Sequence, residues 1–165
     1  MNFAYADPPY YGCGKKHYGA KHPDAGLWDS KKTHLGLIEK LTDEYPDGWA
    51  LSLNPRDLAW QLPACPDDCR VGVWAKQFHQ IRPTLVQYAW EPVIWRTTKK
   101  GNPTPMTRDW LECPPTMKKG LVGAKPAVFN RWVLNLLGYE EGDSVADLFP
   151  GTNGLQKVIN QGCLL

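Results

Sequence analysis

Four consecutive residues near the N-terminus, Asp7-Pro8-Pro9-Tyr10, have the types and order for chemistry on an amine. The double proline cannot continue a sheet ladder, so it ends the short apolar run Asn2 to Ala6 in a rigid loop. That loop fixes a carboxylate and a backbone carbonyl side by side at the C-terminal edge of a strand, where α/β proteins bind ligands. Two adjacent acceptors can hold an exocyclic NH₂ group by both protons, which turns the nitrogen lone pair outward and makes the amine a better nucleophile. Tyr10 adds a flat face on which a base taken out of its helix can stack. Taken alone, the four residues also suit an ordinary proline turn.

A second segment, Asp147-Leu-Phe-Pro-Gly151-Thr-Asn-Gly154, follows the apolar run Ser144 to Leu148. A glycine loop leading into a helix lets backbone amides approach a ligand closely. It lacks the Gly-Lys-Ser/Thr of a phosphate-binding loop and the three-glycine dinucleotide pattern. On its own it is equally a strand-to-helix turn.

Short elements must position these loops, because 15 Gly and 15 Pro favour turns throughout the chain. After the strand Asn2–Ala6, residues 11–32 read as an exposed basic loop, with Lys15, Lys16, Lys21, Lys31 and Lys32 against Asp24 and Asp29. Thr33 reads as the N-cap of a helix carrying Leu35, Leu37, Ile38 and Leu41, which Pro46 ends. Strands are predicted at Trp49–Leu53 and Val71–Ala75, with a helix from Asn54-Pro55 to about Leu62 between them. Thr84–Tyr88 and Pro92–Arg96 read as two more strands or one bent hairpin.

Residues 97–120 break this rhythm with four prolines and with Lys99, Lys100, Arg108, Lys118 and Lys119 against Asp109 and Glu112, so an inserted loop or lid is predicted. Phe129, Trp132, Val133, Leu136 and Leu137 then share one helical face, which Gly138 stops. Strands alternating with helices indicate an α/β sheet covered on both faces, within a single domain spanning 1–165.

Composition narrows the class. Hydrophobic residues make up 42% and charged residues 22%, which excludes an intrinsically disordered chain. No apolar stretch approaches the ~20 residues of a membrane span, and the N-terminus has no signal-peptide pattern, so a soluble, cytoplasmic protein is expected. The formal net charge of +2 does not announce a nucleic-acid binder, so any such role rests on where the charges sit. The five cysteines (13, 65, 69, 113 and 163) read as reduced thiols. Cys65 and Cys69 could open a zinc site, but no second Cys/His pair at ligand spacing follows, so no metal is expected. The eight tryptophans suit either core packing or base stacking; Trp28 and Trp110 are ambiguous, while Trp74 reads as core.

Together the two loops resemble those of the exocyclic-amine DNA methyltransferases, which modify adenine N6 or cytosine N4 with S-adenosylmethionine. Asp7-Pro-Pro-Tyr10 looks like their catalytic motif and Asp147-Leu-Phe-Pro-Gly151 like their cofactor loop. Lys125-Pro126 is similar to the segment these enzymes place before the cofactor strand, and Tyr88-Ala-Trp-Glu91-Pro-Val-Ile-Trp95 to the strand bordering their target-base pocket. With the catalytic motif first and the cofactor loop last, the order matches a permuted subclass. The resemblance implies a Rossmann-like S-adenosylmethionine-dependent methyltransferase sheet, in a bacterial or virus-infected cell.

It further implies that Asp7 and the Pro8 carbonyl hold the target amine, while Pro9 keeps the turn rigid and Tyr10 stacks on the flipped base. Asp147, Phe149, Gly151, Thr152, Asn153, Lys125 and Asn130 would surround the methionine end of the cofactor. Lys15, Lys16, His17, Lys99, Lys100 and Arg108 would flank a DNA cleft. Asp rather than Ser before the prolines leans towards adenine, and no Pro-Cys-Gln is present for cytosine C5 chemistry.

Two departures shape the expectation. Gly151-Thr152-Asn153 replaces the family's Gly-Ser-Gly, although Asn tolerates positive φ better than most residues. Only 11 residues follow Gly154, where complete enzymes of the family add two strands that hold the adenosine. The sheet is therefore expected to be permuted and shortened, with the adenosine pocket absent or rebuilt from a homodimer partner, a second subunit or elsewhere in the chain. A non-catalytic nucleic-acid- or partner-binding subunit, and the same chemistry on RNA or a protein amide, are the alternatives.

Overall fold

Alternation in the first apolar run has a direct structural result. Strand β1 (Asn2–Ala6) sends Phe3 and Tyr5 into one apolar layer and Ala4 and Ala6 into the other, and all four are buried. The computed structural model describes residues 1–20, 22–77, 83–101, 106–116 and 124–162. Helix α1 (Gly14–Tyr18), a 3₁₀ segment (Pro23–Asp29) and α2 (Lys31–Glu44) follow β1, and then β2 (Gly48–Ser52). Next come a 3₁₀ turn at Pro55–Asp57, α3 (Leu58–Gln61), β3 (Arg70–Ala75), β4 (Trp90–Thr97) and β5 (Trp110–Glu112). Helix α4 (Ala127–Leu137), β6 (Ser144–Asp147) and α5 (Gly154–Asn160) complete the described elements.

The strands form one six-stranded sheet in the order β5-β3-β4-β2-β1-β6. β1 lies between β2 and β6, parallel to both, and β4 runs antiparallel between β2 and β3. On one face α4 and α5 bury Phe129, Val133, Leu137 and Leu155 against Phe3, Trp74 and Val93. On the other, α2 buries Leu37, Ile38 and Leu41 against Trp49, Leu51 and Ile94. Gly138 ends α4 at φ 70°, a left-handed cap that glycine adopts without a Cβ penalty.

Four sequence expectations need correction. Thr84–Tyr88 is not a strand: Leu85 and Val86 are exposed, and β4 begins only at Trp90. Within the predicted lid, Trp110–Glu112 instead forms β5, parallel to β3, because that strand otherwise offers an open edge. Trp74 Nε1 donates to the Cys113 carbonyl and Trp132 Nε1 to that of Arg108, holding the segment in place; three residues are too few to show a strand period. Residues 11–32 hold α1 and the 3₁₀ segment rather than a plain loop, tied by Asp29, whose carboxylate accepts from the Gly14 and Lys15 amides. Helix α2 starts at Lys31 with Ser30, not Thr33, at its N-cap. Lys21, Lys118, Lys119 and Cys163 lie outside the described residues.

Candidate functional site

Because β1 and β6 are parallel neighbours, the two loops singled out in the sequence leave the sheet side by side at one edge. Between them opens a cavity of about 570 Å³. Asp7 and Pro9 line it from the first loop, and Asp147, Phe149, Gly151 and Thr152 from the second. Lys125, just before α4, and Asn130, in the first turn of that helix, reach it as well. Asn153 takes the left-handed conformation expected for it (φ 55°), and Gly151 does the same (φ 45°). At Gly154 a Cβ would stand 2.8 Å from Asn130 Nδ2, so only glycine fits between that buried amide and the loop.

Asp7 is not isolated at this edge. Lys125 Nζ lies 3.2 Å from its carboxylate, 2.9 Å from Glu91 and 3.0 Å from the Tyr10 hydroxyl. Tyr10 donates to Glu91 at 2.8 Å, and Lys76 pairs with the other Glu91 oxygen. The Lys125 side chain is only 8% exposed. Burial pushes the Asp7 carboxyl above the usual range, while the Lys125 ammonium pulls it down and Glu91 pushes it up. Glu91 behaves oppositely: burial raises it, yet Lys125 and Lys76 together hold it at about 2. Burial lowers Lys125, but Asp7 and Glu91 more than reverse that and keep it protonated. Burial and then Glu91 raise the Tyr10 hydroxyl, leaving a neutral ring whose hydroxyl is anchored. Asp147 is raised by burial, against the Phe149 amide it accepts from at 3.2 Å.

The sequence reading placed Lys125 beside the cofactor loop. It does line the cavity, but its charge is committed to Asp7 and Glu91. Nor does the structure bring all the predicted basic residues together. Lys15, Lys16 and His17 are exposed on α1, whose Tyr18 lines the cavity. Lys99 and Lys100 follow β4 at the opposite edge of the sheet, where Thr97 pairs with Gly48 at the start of β2. There Lys99 is bound by Glu140 and Asp143. Arg108 precedes β5 on that far side, beside Asp109, which pairs with Arg70 at the start of β3. Reversal of β4 within the sheet moves these residues away, and no local sequence signal marks that reversal.

Sequence reasoning also missed Lys76 and the cavity wall formed by Tyr18, His22, Asp24 and Trp28. The Trp28 ring meets Phe149 edge-on with centroids 4.9 Å apart, Trp74 is core, and Trp110 is partly exposed on β5. Among the described residues no cluster of His, Cys, Asp and Glu is arranged to hold a metal ion.

Comparison with known proteins agrees with this architecture. No family profile matches the sequence, and no curated protein matches it. Among solved structures, the crystal structure of the M1.HpyAVI–SAM complex is similar over 98% of this chain and 78% of that one. Its TM-score is 0.63, at 13% sequence identity. The likeness shows the fold, a mixed α/β sheet of Rossmann-like type.

Proposed function

We propose that this chain transfers a methyl group from S-adenosylmethionine to an exocyclic amine of a base in DNA, with adenine N6 the favoured target. One observation carries the reading: the acceptor pair of Asp7 and Pro8 ends β1 at the same edge, and beside the same cavity, as the glycine loop that ends β6. The N-terminal acceptor motif and C-terminal glycine loop correspond to the permuted order of the resembling family.

The residues present suit the cofactor. The cavity volume of about 570 Å³ falls within the range of small-molecule sites. The bare backbone at Gly151 and Gly154 leaves room for close approach, and Asp147 offers an acceptor for an ammonium. Asp147, Phe149, Gly151, Thr152 and Asn130 would hold the group. When bound, it would supply an electrophilic sulfonium methyl, the bond to sulfur breaking to leave a neutral thioether behind.

The chain's own residues supply positioning. Asp7 and the Pro8 carbonyl would accept the two N–H bonds of the target amine and aim its lone pair towards the cavity. The Asp7 carboxyl, raised by burial, would take up the proton the amine sheds as it becomes methylated. The Tyr10 plane is fixed through its hydroxyl by Glu91 and Lys125, so a stacked base would find its platform already oriented. Exposed Lys15, Lys16 and His17 stand at the same edge and suit a phosphate backbone.

Calorimetric titration of S-adenosylmethionine, followed by transfer assays on competing DNA and RNA, tests the reading. Micromolar binding that Asp147→Ala abolishes, with methyl appearing in DNA, is expected. Full transfer activity in Asp7→Ala would overturn the catalytic assignment. Binding of DNA without any transfer would identify a non-catalytic subunit instead.

A further inference from the structure

The wall of the cavity that meets Phe149 of the glycine loop is itself tied firmly into the fold. It consists of the 3₁₀ segment Pro23–Asp29 with its approach, and Tyr18, His22, Pro23, Asp24, Ala25 and Trp28 line the cavity from it. Three ties hold the segment. The Asp29 carboxylate accepts the Gly14 amide at 2.8 Å and that of Lys15 at 3.1 Å. His34 Nε2 lies 2.9 Å from the Trp28 carbonyl, and His34 itself is buried. The Ala25 carbonyl lies so close to Gly14 that a Cβ there would come within 2.0 Å of it. The segment is thereby locked to α1 and α2, and its Trp28 ring abuts Phe149 of the glycine loop.

The two sides of the cavity differ in chemistry. The side with Asp7, Lys125 and Asp147 is strongly charged, as a zwitterionic amino-acid end and a target amine require. Around Asp24 the wall offers the Trp28 ring and one carboxylate, which makes no ion pair among the described residues. A carboxylate beside an aromatic ring suits a neutral ligand with adjacent hydroxyls and a flat heterocycle. Both oxygens can accept from a vicinal diol, and charged acceptors make the stronger hydrogen bonds.

We infer that the Pro23–Asp29 segment is the nucleoside-binding wall of this cavity, with Asp24 accepting from the ribose hydroxyls and Trp28 packing beside the adenine. This rests on the methyl-transfer reading. It assigns the nucleoside half of the ligand to a segment placed just after the Asp7–Tyr10 loop.

A test uses S-adenosylhomocysteine and its 2′,3′-dideoxy analogue, each titrated calorimetrically into the wild type and Asp24→Ala. Asp24 is exposed at the cavity mouth, so the variant should keep the wild-type far-UV spectrum and melting temperature. The wild type is expected to prefer the intact ribose by about tenfold, the size of a hydrogen bond to a charged group. In Asp24→Ala that preference should vanish, with both compounds binding at the weaker level. An Asp24→Ala protein that binds the intact compound as tightly as wild type, or still discriminates tenfold, overturns the assignment while leaving the methyl-transfer reading in place. A wild type that binds neither compound removes the methyl-transfer reading, and this inference with it.

Discussion

Two lysines at opposite edges of one sheet each hold two carboxylates, and the environments differ. Lys125 joins Asp7 and Glu91 with its side chain 8% exposed, beside the cavity. Lys99 joins Asp143 and Glu140 with its side chain 20% exposed, and Glu140 is 74% exposed. Asp143 also takes the terminal ammonium of Met1 at 2.6 Å, so the Lys99 cluster fastens the start of β1, the end of β4 and the α4–β6 turn. A solvated cluster can staple chain segments at little desolvation cost. Burying a lysine with two carboxylates is expensive, and apolar side chains would fill such a space with less penalty. The buried cluster is therefore better explained by the roles proposed for Asp7 and Tyr10 than by stability.

Breaking the buried cluster should give the largest effect. Lys125→Met leaves Asp7 and Glu91 close together without their shared cation, and removing one partner of such a set costs about 3–5 kcal/mol. Urea denaturation should show that loss. The matching change at the other edge, Lys99→Met, should cost less, because Asp143 keeps the Met1 ammonium and Glu140 is open to water. Equal costs at the two edges would undo the comparison.

Asp7→Asn asks for function without removing the cluster, since Lys125 keeps Glu91. Methyl transfer should fall by about 10²–10³-fold, the usual loss of one electrostatic contact to a reacting group, with the melting temperature little changed. Transfer rates on DNA under saturating cofactor, read beside thermal unfolding, check both halves of that statement.

Much of this was legible in the sequence, and the parts that were not have physical reasons. The Asn2–Ala6 and Ser144–Asp147 strands, the Phe129–Leu137 face and the Gly138 stop are local patterns, and local patterns survive folding. Asp7, Asp147 and Gly151 share one cavity because they stand at or just beyond the ends of two short apolar strands, a signal readable without tertiary knowledge. The partners of Lys125 were not readable, because Asp7, Glu91 and Lys125 converge from three distant segments. Likewise, Lys99 and Arg108 were assigned by charge density alone, which carries no information about the edge on which a reversed strand will leave them. Trp28 read as ambiguous and Asp24 only as a loop acid, because the segment that places them in the cavity wall is ordered by Asp29 and His34, not by any periodicity of its own.

The acid limb of stability separates the clusters further. Glu91 stands at about 2 in the folded protein against an ordinary value of 4.5, so the unfolded chain binds the extra proton between those values. Its contribution is full above pH 4.5 and is lost as pH falls towards 2, and Glu91→Gln should flatten that part of the stability profile. Asp143, also held at about 2, carries the same sign. Added salt should weaken the Asp143 contribution more, because the Lys99 cluster is the better solvated of the two and screening acts mainly on exposed charges. Acid titrations of Glu91→Gln and Asp143→Asn at low and high salt would show whether that order holds.

The smallest expected effect decides which edge faces nucleic acid. Lys15 and Lys16 stand on α1 beside the cavity, whereas Lys100 and Arg108 are exposed on the far side. If duplex DNA presents a base to Asp7, its backbone passes α1, and each lysine that touches a phosphate contributes about 0.9 to the slope of log affinity against log salt. Replacing both Lys15 and Lys16 by Gln should therefore lower the slope by up to about 1.8, weakening binding uniformly across sequences. The Lys100→Gln, Arg108→Gln pair should leave it unchanged. Lys99 is kept in both variants, because its ion pairs make its loss a change in folding as well as in charge. Fluorescence anisotropy over a salt series measures both slopes. A far-edge variant that lowers the slope as much as the α1 variant would mean that DNA crosses the sheet at the edge away from Asp7, where no base could reach the acceptor pair.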